Sequence, residues 1–136
     1  GARGRVLLYS AGRELVPGYL PTMALALDLA STLARHQEQP LVVGPLAPAA
    51  LEEAGLTAPP TAEHVDGDHD PEAWAAAVTR PGDLMVVPIH DFSIGPAAIR
   101  VHASGRSVLA VSQNPETSPG AVVSPMNLPV GRSLGT

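Results

Sequence analysis

The side chains best suited to binding a ligand lie in two short polar segments of this 136-residue chain. They stand at or just beyond the ends of two apolar runs, residues 5–10 and 83–90: Ser10, Gly12 and Arg13 in the first, and His90, Asp91 and Ser93 in the second. Together, an arginine, an imidazole and a carboxylate would suit an anion or a nucleotide. Asp91 or Ser93 could instead cap a following helix, because short oxygen-bearing side chains accept hydrogen bonds from the first N–H groups. The residue types leave both interpretations open.

A second polar cluster, residues 63–70 (EHVDGDHD), holds four carboxylates and two imidazoles and therefore invites a metal interpretation. It does not fit the calcium-binding loop, since Pro71 stands where the turn glycine belongs and Ala77 where the bidentate glutamate belongs. We expect a solvated acidic loop in which Asp70 caps the next helix, and no metal site.

Catalysis is not expected. The chain contains no cysteine, which excludes thiolate nucleophiles, disulfides and zinc sites built from cysteine. Serine, histidine and aspartate are all present, but the G-x-S-x-G turn that exposes a hydrolase serine is missing.

Charge and hydropathy exclude further classes. The formal charge is −5 and no basic stripe exists to neutralise phosphates, so nucleic acid is not an expected partner. The longest nearly uncharged stretch, residues 40–51, is too short to span a membrane and is broken by glycine and proline. Charged residues make up 15% of the chain against about 25% in typical soluble domains, which predicts a surface partly covered by a partner. The chain starts at Gly1 without a signal sequence, which predicts a processed protein or a domain of a longer one.

The elements that would position these residues alternate along the chain. Apolar runs predict strands at residues 5–10, 41–43, 63–66, 83–90 and 107–112. Helical periodicity and caps predict helices at residues 20–36, 48–54, 71–79 and 93–104. This βαβαβαβαβ succession is typical of a doubly wound, mostly parallel α/β sheet. Residues 113–136 are rich in Pro, Ser and Gly, with only residues 121–123 apolar enough for a brief edge strand.

The opening strand, the Ala/Leu-rich helix, the second strand and the block PGDLMVVPIHDFSIGPAAIRVHASGRSVLAVS at residues 81–112 resemble the universal stress protein family. The resemblance implies one five-stranded sheet in the order 3-2-1-4-5 with helices on both faces. The resemblance covers residues 5–112 and implies a domain at residues 1–112, while the composition of residues 113–136 predicts an arm or a disordered tail. The ligand crevice of such a sheet lies beyond the carboxyl ends of the first and fourth strands, where the strand order reverses.

Nucleotide-binding members of that family carry the signature G-x2-G-x9-G-[S/T] after the fourth strand. Gly95 and Gly105 match its later spacing, but Phe92 stands at the first glycine and Arg106 precedes Ser107. A phenylalanine there would obstruct the approach of backbone N–H groups to phosphates. An adenine nucleotide stays a candidate ligand, and its expected crevice consists of Ser10, Gly12, Arg13, His90, Asp91, Ser93, Gly95 and Gly105.

Domains that lack the full signature occur as cytoplasmic C-terminal extensions of bacterial cation/proton antiporters. The resemblance therefore implies a non-catalytic regulatory and dimerisation domain, cytoplasmic and tethered to the membrane domain of its own transporter. Homodimers would pair along the fifth-strand edge, where Val108, Ala110 and the arm beyond Gln113 would be available. The alternative is a free-standing universal stress protein that binds an adenine nucleotide.

Overall fold

Five parallel strands and one antiparallel strand form a single sheet in the computed structural model, which describes residues 4–10, 20–88, 107–114 and 118–125. The strands are β1 (Val6–Tyr9), β2 (Leu41–Gly44), β3 (Glu63–His64), β4 (Leu84–Pro88), β5 (Ser107–Asn114) and β6 (Ser118–Pro125). The helices described are α1 (Leu20–His36), α2 (Pro48–Glu53) and α3 (Pro71–Val78). The strand order is β3-β2-β1-β4-β5-β6.

The predicted parallel sheet in the order 3-2-1-4-5 is confirmed. β1 lies at its centre, because Val6 pairs with Leu41 of β2 on one side and with Leu84 of β4 on the other. The third strand is shorter than the predicted 63–66, and the edge strand expected at 121–123 extends over Ser118–Pro125, antiparallel to β5. The helix predicted at 93–104 lies outside the described residues. The division at residue 112 stays a prediction, and β5 continues across it to Asn114.

Helices cover both faces of the sheet, and alternate strand residues divide the core accordingly. One cluster packs under α1 and α2 and takes Val6, Leu8, Leu41, Val43, Val86 and Val111 from the strands. The other packs under α3 and takes Leu7, Tyr9, Val42, Met85, Val87 and Val108. Because both faces are buried, the parallel strands read as uninterrupted apolar runs rather than as alternating patterns.

The helices begin and end at residues whose chemistry explains these positions. α1 is rich in alanine and leucine, which have high helix propensity, and it buries Met23, Ala26 and Ala30 completely. α2 is followed by Gly55, whose φ of +90° is a conformation that favours glycine. Asp70 caps α3 as predicted, with its side chain accepting a hydrogen bond of 2.9 Å from the Ala73 N–H.

An ion pair joins β1 to β4 at the amino edge of the sheet, the edge where the parallel strands begin. The Arg5 guanidinium donates to Asp83 Oδ2 at 2.7 Å and to the carbonyl oxygen of Val78, at the end of α3, at 2.8 Å. The backbone N–H groups of Arg5 and Arg80 donate to the same carboxylate at 2.8 and 2.9 Å. Burial alone would raise the pKa of Asp83, but these hydrogen bonds and the charge of Arg5 outweigh it and hold the pKa below its ordinary value of 3.8.

Candidate functional site

The candidate site lies at the carboxyl edge of the sheet, the edge where the parallel strands end. Ser10 is the one predicted crevice residue that falls within the described ranges. The others lie outside them: Gly12, Arg13, His90, Asp91, Ser93, Gly95 and Gly105. Ser10 follows β1 directly and is completely buried. The geometry of this edge can therefore be built from Ser10 and from the turn after β2.

Ser10 joins the end of β1 to the turn between β2 and α2. Its backbone N–H donates to the Gly44 carbonyl oxygen at 2.6 Å, and its Oγ donates to the Leu46 carbonyl oxygen at 3.1 Å. A buried hydroxyl that donates its proton to a backbone carbonyl is fixed in orientation. Ser10 thus holds two strand ends together.

The turn at residues 44–46 offers its carbonyl groups to protein partners. Between the two carbonyl oxygens bound by Ser10, the Pro45 carbonyl oxygen lies 2.9 Å from His64 Nε2. The position of Gly44 tolerates no side chain, because an added Cβ would overlap the Val65 carbonyl oxygen and stand 2.7 Å from the Trp74 ring. Three successive carbonyl groups are therefore satisfied inside the protein, and the backbone here is closely packed.

Two aromatic side chains that the sequence interpretation did not assign to this edge hold the acidic loop, residues 65–70. Trp74 is completely buried and donates from Nε1 to the Val65 carbonyl oxygen at 3.2 Å, and the Tyr9 hydroxyl donates to the His69 carbonyl oxygen. The centroids of the Tyr9 and Trp74 rings are 6.0 Å apart. The loop is fixed to the α3 face of the sheet through its backbone, whereas its three carboxylates and the His69 imidazole stay exposed.

The acidic loop uses its carboxylates mainly for its own backbone. Asp66 accepts a hydrogen bond from the Gly67 N–H and Asp68 accepts one from the Asp70 N–H, both at 2.8 Å. Within the ranges that the structure describes, no three histidine, aspartate or glutamate side chains are grouped so that they could hold a metal ion. The contact from Asp70 to Asp68 is that of an Asx turn, which shapes a loop without a ligand.

No family model, curated protein or solved structure matches the chain. The resemblance to universal stress proteins therefore stays a prediction, while the sheet order rests on the strand pairing itself. None of the helices described is long and apolar enough to cross a membrane.

The described part of the carboxyl edge positions backbone and aromatic groups and does not activate a nucleophile. Ser10 donates to a carbonyl oxygen and not to a base. Trp74, the one tryptophan of the chain, touches both Gly44 and the acidic loop. Its fluorescence should therefore report any change at this edge.

Proposed function

We propose that this chain is a non-catalytic regulatory and dimerisation domain, the soluble cytoplasmic part of a bacterial cation/proton antiporter. Its 3-2-1-4-5 sheet agrees with the order that the universal stress protein resemblance implies. A shared sheet order is compatible with many functions. The proposal therefore depends on a feature of this particular sheet, the sixth strand.

The proposal rests on β6, because β6 covers the outer edge of β5 and is itself the edge strand that a partner can reach. β5 pairs with β4 on one side and with β6 on the other, and Val108 and Ala110 are buried. The expectation that the fifth-strand edge itself is available is therefore corrected. β6 is the last strand of the sheet, and a terminal strand presents a row of backbone groups to a further strand. Pro119 and Pro125 lack N–H groups, so pairing with a partner would use the residues between them.

Antiparallel pairing of β6 with β6 of a second copy would join two sheets into one. An interface of about five residues on each side would be weak in the isolated domain. If the membrane domains of two copies pair, flexible linkers would raise the effective concentration of the two cytoplasmic domains to about 1 mM, so that weak pairing would suffice. Regulation would then consist of a change in association between two cytoplasmic domains.

Sedimentation of the isolated chain up to about 1 mM, the concentration that a tether imposes, tests the dimer. Two proline variants, Val122→Pro and Val123→Pro, provide matched controls, because N–H groups of successive strand residues point to opposite edges. One variant should lower the melting temperature by breaking the β5–β6 ladder. The other should keep the melting temperature and weaken dimerisation about tenfold or more. A strict monomer, or a dimer that neither proline weakens, would contradict the proposal.

Calorimetry with ATP, ADP and AMP separates this function from the nucleotide-binding alternative. We expect no heat and no change in Trp74 fluorescence. Saturable heat with a fluorescence change would favour the free-standing stress protein. The reading frame tests the transporter half of the proposal, since about a dozen apolar segments of spanning length should be encoded upstream. A start codon directly before this chain would contradict it.

A further inference from the structure

A groove runs along α1 between that helix and residues 55–61, which we call the 55–61 wall. It consists of two adjoining cavities of about 380 and 290 Å³ that share Ser31 and Pro59 in their linings. Neither lining includes a described residue of β6 or of the turn at residues 44–46. A site there would be independent of the proposed dimer.

The groove is built before any ligand arrives. Its floor is made of side chains that belong to the core: Leu27, Ala34 and Leu41. The wall is held at both ends, because the Leu56 N–H donates to the Leu51 carbonyl oxygen at 2.9 Å and the Ala62 N–H donates to the Pro59 carbonyl oxygen at 3.0 Å. Pro59 and Pro60 further restrict its backbone. A preformed groove avoids most of the entropy cost of ordering a binding loop.

Two opposite charges stand along the helix side of the groove. Asp28 lines one cavity and Arg35 lines the other, and both side chains are exposed. Neither side chain makes a hydrogen bond or ion pair with any residue that the structure describes. Seven residues apart on one helix, they share a face and are separated by about 10 Å along the axis. Thr57, Thr61 and Gln39 complete a polar rim around the apolar floor.

We infer that this groove binds a peptide segment in the polyproline II conformation that carries one cationic and one anionic side chain three residues apart. In that conformation three residues make one turn of about 9 Å, so side chains i and i+3 point the same way. This spacing matches Asp28 and Arg35. Polyproline II also leaves its backbone groups unpaired, and the hydroxyl and amide groups of the rim could satisfy them. An apolar floor inside a polar rim is the usual anatomy of a protein interface.

The test uses short peptides and the ¹⁵N-labelled full chain. The probes are Ac-Lys-Pro-Pro-Glu-NH2 and its reverse Ac-Glu-Pro-Pro-Lys-NH2, with the like-charged peptides Ac-Lys-Pro-Pro-Lys-NH2 and Ac-Glu-Pro-Pro-Glu-NH2 as controls. At least one mixed-charge peptide should bind about threefold or more tightly than both like-charged ones, as expected for exposed charge pairs. The amide shifts should concentrate in residues 24–35 and 55–61. Absence of shifts there, or equal affinity for all four peptides, overturns the inference.

Charge reversal sharpens the test. Asp28→Lys should move the preference to the peptide with two glutamates, and Arg35→Glu to the peptide with two lysines. Asp66→Lys and Arg80→Glu make the same charge changes outside the groove and should leave the preference unchanged. If a reversal variant fails to fold, Asp28→Asn and Arg35→Gln should still reduce the preference of the chain for the mixed-charge peptide. An unchanged preference, or identical shifts from equimolar free lysine and glutamate, would overturn the peptide site.

Discussion

The two edges of the sheet hold the central strand β1 by different means. At the amino edge a charged pair, Arg5 and Asp83, joins β1 to β4 and reaches the end of α3. At the carboxyl edge the contacts go to the backbone, and Ser10 and His64 bind successive carbonyl groups of one turn. The amino edge therefore depends on pH and on each partner of a charge pair. The carboxyl edge depends on close packing.

This difference agrees with the general pattern of parallel α/β sheets, in which ligands bind at the carboxyl edge and not at the amino edge. A buried ion pair is costly to break and suits an edge whose role is stability. The following predictions test whether the two edges differ in this way.

The largest effect is expected at the amino edge from Asp83→Ala. The variant leaves the Arg5 guanidinium largely buried without its partner, which should cost about 3–5 kcal/mol of unfolding free energy. Urea denaturation at neutral pH measures it. The double variant Arg5→Met with Asp83→Ala is the matched control and should recover much of the loss. If Asp83→Ala unfolds at the same urea concentration as the unmodified chain, the ion pair does not hold this edge.

The same pair predicts a pH dependence. Because the folded pKa of Asp83 is lowered, its contribution to stability is fully present above the ordinary value of 3.8 and is lost as pH falls through the folded pKa. The difference in unfolding free energy between the unmodified chain and Asp83→Asn should therefore be largest near neutral pH and shrink below about pH 4. Denaturation series at several pH values measure this. A difference that grows on acidification would contradict the lowered pKa.

At the carboxyl edge, stability should depend on the size of an introduced side chain and not on its charge. Gly44→Ala would place a Cβ against the Val65 carbonyl oxygen and the Trp74 ring, and overpacking typically costs about 1–3 kcal/mol, and more where the backbone must move, as it must here. Trp74 fluorescence should shift in the native state, since the ring must move. Gly55→Ala is a useful control, because its Cβ meets nothing within 4 Å and the strain comes only from the φ of +90°. Its native fluorescence should stay unchanged. Unaltered fluorescence in Gly44→Ala would show that this edge is loosely packed.

The sequence predicts the strands that are buried on both faces, because they appear as apolar runs: β1, β2, β4 and β5. It predicts the edges less well. β3 ends at His64 and not at residue 66: the Val65 N–H still donates to the Val43 carbonyl oxygen of β2, but the Val65 carbonyl oxygen accepts a hydrogen bond from Trp74 Nε1. β6 contains two prolines and a glycine, which lower strand propensity, and pairing with β5 overrides that preference.

The side-chain contacts of the ion pair, of Ser10 and of the groove are also predicted less well than the buried strands. The position of Ser10 at the end of β1 follows from the strand pattern. Its partners are backbone carbonyl groups, which every residue has, so they cannot be recognised from residue types. Arg5 and Asp83 are 78 residues apart and meet only through strand pairing. The groove beside α1 was equally hidden, because Asp28 and Arg35 read as the ordinary polar side of an amphipathic helix. The contacts of Ser10, the Arg5–Asp83 pair and the groove all depend on which distant segments of the chain lie side by side, and the local sequence pattern does not encode this.

The smallest effect is expected from Ser10→Ala. The variant removes the hydroxyl that binds the Leu46 carbonyl oxygen but keeps the backbone bond to Gly44, so the cost should be about 1 kcal/mol. Because no charge is lost, the cost should not change with pH, in contrast to that of Asp83→Asn. Urea denaturation at neutral pH and near pH 4 measures both. A Ser10→Ala cost as large as that of Asp83→Ala would show that the two edges contribute equally to holding β1.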